Sequence, residues 1–153
     1  MNTTPSSRQI DTALLVLRLA LGAIFIAHGA QKLFVFGIAG VTSGFAQMGI
    51  PIPAVTAPLV AVVEFAAGFG VLFGLLTRLA ALGLAIDMLG AITFVHGKNG
   101  FFLPTGAEFA LACLTLALAV LIAGAGAWSL DAVIGGKLRT SRADRDGTFR
   151  RAA

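Results

Sequence analysis

Seven ionisable side chains lie in or beside long apolar runs: Arg18, His28 and Lys32 in the first, Glu64 in the second, Asp87 in the third, His96 just after it and Glu108 just before the fourth. An ionisable group in hydrocarbon is costly and normally faces other protein or a wet cavity. An imidazole, an amine and carboxylates brought together can exchange protons with a bound molecule and stabilise an anionic oxygen. Cys113 is the single cysteine, which excludes an intrachain redox disulfide and any cysteine-based cluster. It reads as core packing. There is no CxxCH, HExxH or EF-hand pattern, and no metal ligand set is expected. A bis-histidine haem would require His28 and His96 to meet across one plane. His96 projects opposite Asp87 on an unbroken helix, so this needs the third segment to end early and turn inward.

The angular positions say which groups share a face. At about 100° per residue, with Arg18 at zero, Gly22, Phe25, His28, Gly29 and Lys32 all fall within an arc of about 120°. That stripe is expected to face protein, with its glycines allowing close approach to a neighbour. Glu64 sits roughly 15 Å from the outer end of its segment, and Asp87 near the middle of its own. Two polar layers are therefore expected. The inner one is a structural ion pair between Arg18 and Asp87, with Glu64 as the other possible partner of Arg18. The outer one joins His28, Glu64 and Glu108 as a candidate proton relay with Lys32, and has His96 at its rim. Phe25 and Phe94 are positioned to flank a planar ligand.

These residues need a membrane bundle to position them. Of 153 residues 58% are hydrophobic and only 12% charged, with mean hydropathy +0.93. A soluble domain this small cannot hide that much apolar surface. Four continuous Ala/Leu/Gly-rich segments, about Ala13–Phe36, Ala54–Leu76, Leu79–Val95 and Phe109–Leu130, lack strand alternation and predict transmembrane helices. The fold expected is all-α: an integral membrane, four-transmembrane-helix antiparallel bundle over 13–131. Arg18 and His28 within the first run argue against a cleaved signal peptide. Between the segments, Gly37–Pro53 reads as a loop holding a short interfacial helix near Val41–Met48. Pro58 reads as a first-turn proline, Thr77 and Arg78 as a tight turn, and His96–Gly106 as an outer link. Trp128 reads as an interfacial anchor. A faint Arg-Leu-Ala and His-Gly recurrence between the first and third segments is better explained by small residues at helix contacts.

The net charge of +4 belongs to the tail. From Lys137 onward six basic residues (Lys137, Arg139, Arg142, Arg145, Arg150, Arg151) stand against Asp144 and Asp146. No basic stripe interleaved with aromatics suggests a nucleic-acid partner. Arg8, Arg78 and the tail lie on one side of the expected topology and Lys98 on the other. Both termini, 1–12 and a basic, disordered tail over 132–153, are therefore expected in the cytoplasm.

Arg18 through Gly22, His28-Gly29 and Lys32 resemble the first-span motif of the DoxX family. Gly49, Pro51 and Pro53, then Glu64 with Gly68, then Gly74, Thr77 and Arg78 follow in the same order. Met88, His96-Gly97, Glu108 and Ser129 to Asp131 complete a pattern spanning about 13–131. The resemblance implies a four-helix bacterial inner-membrane protein, related to the small DoxD-type subunit of thiosulfate:quinone oxidoreductase. Many members carry the name oxidoreductase, and some associate with soluble redox enzymes. Arg18, His28, Lys32, Glu64, His96 and Glu108 are the matching positions. The leading expectation is a membrane redox component with a quinone-type pocket in the outer half, whose need for an electron donor points to a soluble redox partner protein or a bound cofactor. The alternatives are a non-enzymatic scaffold or anchor for a redox or stress-response complex, and a small-molecule transporter, which would need a homo-oligomer to form a pore.

Overall fold

The first helix starts earlier than its apolar run because Ser6 and Gln9 form a capping box. The Ser6 hydroxyl accepts from the Gln9 N–H, and the Gln9 side chain accepts from the Ser6 N–H at 2.8 Å. The computed structural model describes residues 5–137. Helix α1 runs Ser7–Ala30, so part of the expected N-terminal extension is helical. It continues in wider π-type turns over Gln31–Phe36. Gly37, at φ +68°, then redirects the chain into α2, Gly37–Gln47. The expected short interfacial helix is thus present and four residues longer at its start. It lies against the next helix through Val41, Phe45 and Ala57.

Helix α3 spans Pro53–Phe73, with Pro53 in the first turn, where its missing N–H costs nothing. Pro58 therefore lies in the second turn rather than the first. Helix α4 is Thr77–Gly90, extended by wide turns over Ala91–His96 and a tight turn over Gly97–Asn99. Helix α5 is Glu108–Ala123. At about 24 Å it is shorter than the expected fourth segment, because Gly124 leaves helical geometry at φ +84°. A further helix, α6, covers 130–137, so the start of the expected disordered tail is helical. The rest of that tail lies outside the described residues.

The architecture is an all-α membrane bundle, and no strand occurs among the described residues. Three helical stretches, Ser7–Gln47, Pro53–Phe73 and Thr77–Asn99, are long and apolar enough to cross a bilayer, and α5 is the shorter fourth. Helix α1 packs on α3, α3 on α4 and α4 on α5, while α1 and α5 meet more loosely. Leu21, Phe25, Val71, Leu84, Ala117 and Val120 fill the core. Val16, Leu59, Val62, Ile86 and Ile122 are exposed on the outside, as a lipid-facing surface requires. Glycine opens the α1–α3 seam. A Cβ on Gly29 would stand 2.5 Å from the Phe65 backbone nitrogen, and one on Gly22 2.8 Å from Leu72 Cβ.

One end of the bundle is tied together by the residues after α5. Asp131 accepts hydrogen bonds from the backbone N–H groups of Leu76 (2.8 Å) and Thr77 (2.9 Å) and from the Thr77 hydroxyl (2.8 Å). It thus caps α4, which has no side-chain cap of its own. Asp11 accepts from the Ala127 N–H at 2.8 Å, joining α1 to the same end. Burial alone would raise the Asp131 carboxyl. The Thr77 and Leu76 hydrogen bonds and the Arg18 charge outweigh that and hold it below the usual carboxylate range. Asp131→Ala should therefore cost about 1–2 kcal/mol, read as a lower thermal midpoint in detergent. Because the folded value is depressed, this stabilisation is fully present above the ordinary carboxylate pKa of about 3.9. It is lost as the pH falls through the lower folded value. Wild type and variant should differ constantly near neutrality and converge in acid.

Candidate functional site

The polar groups of the half of the bundle away from the end tied by Asp11 and Asp131, here termed the outer half, converge because helix side chains lean toward the N-terminus of their own helix. Lys32, in the wide turns that continue α1, leans down toward the bundle. Glu64 lies on α3, which runs the other way, and leans up. They form the one ion pair found among the described residues, with Lys32 Nζ donating to Glu64 Oε2 at 2.5 Å. Glu64 is buried and Lys32 mostly so, at 5% and 19% side-chain exposure, which makes this a pair shielded from water. Asp87 completes the group: its carboxyl lies within interaction range of the Glu64 carboxyl and the Lys32 ammonium.

These three residues border a cavity of about 460 Å3 in the outer half of the bundle. Its walls are otherwise mostly apolar. Phe25 and Ile24 come from α1, Phe45 and Met48 from α2, Met88 and Phe94 from α4 and its extension, and Phe109 and Cys113 from α5. His28 stands at the looser α1–α5 seam. Its ring is exposed and lies 6.1 Å, centroid to centroid, from that of Phe109. His96 also borders the cavity. Its Nδ1–H donates to the Thr105 carbonyl at 3.0 Å. The histidine thus fastens the outer loop as well as lining the cavity.

Of the sequence-predicted site residues, the structure brings His28, Lys32, Glu64, Phe25, Phe94 and His96 to one cavity. It does not bring Glu108. That carboxylate accepts from the Leu103 N–H at 2.7 Å, shaping the outer loop, and it does not border the cavity. Nor does Arg18 pair with Asp87. Arg18 leans toward the N-terminal end of α1, away from Asp87, and its Nη2 donates to the Trp128 carbonyl at 2.5 Å. Its guanidinium packs against Gly74, at φ +68°, where a Cβ would collide with Nη1. The Arg18 charge faces Asp131 instead.

Asp87 is the cavity residue that sequence reasoning placed elsewhere. The depth estimate ended the third segment at Val95 and counted from its inner end. The wide turns over Ala91–His96 and the tight turn over Gly97–Asn99 carry α4 outward to Asn99, so Asp87 lies twelve residues from the outer end, against eleven for Glu64. That is about 17 Å in both cases. The signals that could have found it were this count from the outer end and the lean of Arg18.

The sequence that builds this site is similar to those of known proteins. Residues 13–97 match the DoxX family model, more than half of the chain. The chain belongs to the DoxX family. A relative in Mycobacterium tuberculosis, "Uncharacterized membrane protein Rv3486", is 36% identical over 130 residues, covering 78% of this chain and 79% of that protein. The "Inner membrane protein YqjF" of Escherichia coli is 33% identical over 132 residues, covering 83% and 95%. The "Putative oxidoreductase CatD" of Bacillus subtilis is 30% identical over 125 residues, covering 82% and 89%. No solved structure matches the chain. The matched DoxX region contains Arg18, His28, Lys32, Glu64, Asp87 and His96, and stops short of Glu108 and Asp131.

Proposed function

We propose that this DoxX protein is a membrane redox component that binds a quinone-class headgroup in its outer cavity. The observation that carries this reading is the cavity itself. About 460 Å3 of mainly apolar space is bordered by an ammonium, two carboxyls and two imidazoles. That is the usual make-up of a small-ligand site, with apolar walls and a few convergent polar groups. A flat ring fits between Phe25 and Phe94. His28 hydrogen-bonds one ring oxygen, Lys32 stabilises negative charge developing on an oxygen, and Glu64 exchanges a proton. Reduction of a quinone to a quinol takes up two electrons and two protons. In this reading the electrons come from a separate donor protein.

The setting is the bacterial inner membrane with both termini in the cytoplasm, by the positive-inside rule. Arg8 and Arg78 support it, since α1 begins and α4 begins at the end tied by Asp11 and Asp131. The name of the Bacillus subtilis relative supports the redox class.

Lipid extraction of the purified protein followed by mass spectrometry should find quinone near one per chain. Titration with a short-tailed quinone should show binding weakened at least tenfold in His28→Ala. Folded wild-type protein that carries no quinone and binds none would overturn the reading. Capture of a redox partner equally well by wild type and His28→Ala would then favour the scaffold.

A further inference from the structure

The charges in the cavity do not balance. Lys32 is the one ammonium there and is committed to Glu64 Oε2. Asp87 faces the same glutamate, and its Oδ2 is buried without any hydrogen-bond donor. The other titratable groups around the pair supply no second cation in contact with it. From α1, His28 stands at the seam beside Phe109. From the α4 extension, His96 is held by the Thr105 carbonyl. From α5 comes the Cys113 thiol, while Glu108 is turned to Leu103. Arg18 points to the opposite end of the bundle.

Two ionised carboxylates facing each other among apolar walls repel strongly, and a buried acceptor without a donor is costly. One proton removes both penalties. The O–H of a carboxylic acid donates to the facing carboxylate in a charge-assisted hydrogen bond. We propose that Glu64 and Asp87 hold one proton between them at neutral pH, as acid and carboxylate beside the Lys32 ammonium. The polar layer then has no net charge, as a site within a bilayer favours. As with other closely coupled acids, the proton belongs to the pair rather than to either residue.

Its use rests on the quinone reading. When a separate donor protein has reduced the bound ring, the acid O–H bond breaks and its electron pair stays on the carboxylate. The proton bonds to the anionic ring oxygen. Asp87 is then a second proton-holding residue of the site.

The test is infrared spectroscopy of the full-length, ligand-free protein at neutral pH in an ester-free detergent. The expected result is the carbonyl stretch of one neutral carboxylic acid per chain, shifted by deuterium exchange. The band should be lost in both Asp87→Asn and Glu64→Gln and retained in Glu108→Gln. No such band in wild type, which requires no variant to fold, would overturn the proposal. So would its persistence in Asp87→Asn or Glu64→Gln. Quinone titration of the same wild-type preparation separates the two claims. Quinone binding without the band overturns the shared proton alone, and the band without quinone binding overturns the quinone reading alone.

Discussion

Lys32→Met should abolish measurable quinone binding and also destabilise the bundle. Methionine fills similar space, so the change removes charge more than volume. Glu64 and Asp87 then face each other with no ammonium beside them. Breaking a buried ion pair by removing one partner costs about 3–5 kcal/mol. The low end applies here, since Lys32 keeps 19% exposure. A thermal midpoint lowered by several degrees should accompany a loss of affinity of tenfold or more. The double variant Lys32→Met with Glu64→Gln separates the two effects. It removes the unpaired charge and should recover most of the stability, but not the binding, because the group that stabilises an anionic oxygen is still gone. If Lys32→Met alters neither quantity, the Lys32–Glu64 contact is inconsequential and the polar layer loses its role.

Gly29→Leu should have the largest effect on folding. Hydrogen alone fits at this position: a Cβ would lie 2.5 Å from Phe65 N, 2.7 Å from its Cα and 2.8 Å from its Cβ. Two of these atoms are backbone and cannot turn aside, so α1 must move off α3. Overpacking a close contact costs about 1–3 kcal/mol even where side chains can shift. The displaced seam also holds Lys32 against Glu64, about one turn further on, in the wide turns that continue α1. The expected outcome is a sharp fall in folded, monodisperse protein in detergent, with quinone binding lost in what remains. Gly44→Leu is the matched control. Gly44 lies on α2, and a Cβ there would meet nothing within 4 Å, so that variant should behave like wild type. An equally folded Gly29→Leu protein would show that the α1–α3 seam is not as close as described.

Much of this protein is determined by the sequence alone. Long apolar runs without alternation have a single stable form in lipid, the helix, because each backbone group must be satisfied within its own segment. The stripe of Arg18, Gly22, Phe25, Gly29 and Lys32 follows from helical periodicity. Gly22 and Gly29 occur on it because the neighbouring backbone comes that close. The gathering of His28, Lys32 and Glu64 in the outer half was likewise legible, since depth along a helix is a count of residues.

What only the tertiary structure decided is which charge meets which. Position along a segment places a Cα, but Arg18 and Lys32 reach several ångströms beyond theirs, toward the N-terminus of α1. That lean carries Arg18 to the Trp128 carbonyl and Lys32 to Glu64, and leaves Asp87 to face Glu64. The level of Asp87 depended on the wide and tight turns that lengthen α4, and those leave no clear mark in composition. Glu108 was indistinguishable from a cavity carboxylate until the outer loop folded back and presented the Leu103 N–H. Asp131 read as the last residue before the tail, yet it caps a helix that begins 54 residues earlier, through a contact that no local pattern encodes. Local periodicity sets the elements, while pairing across the bundle depends on side-chain reach and helix direction, which become defined only when the helices pack.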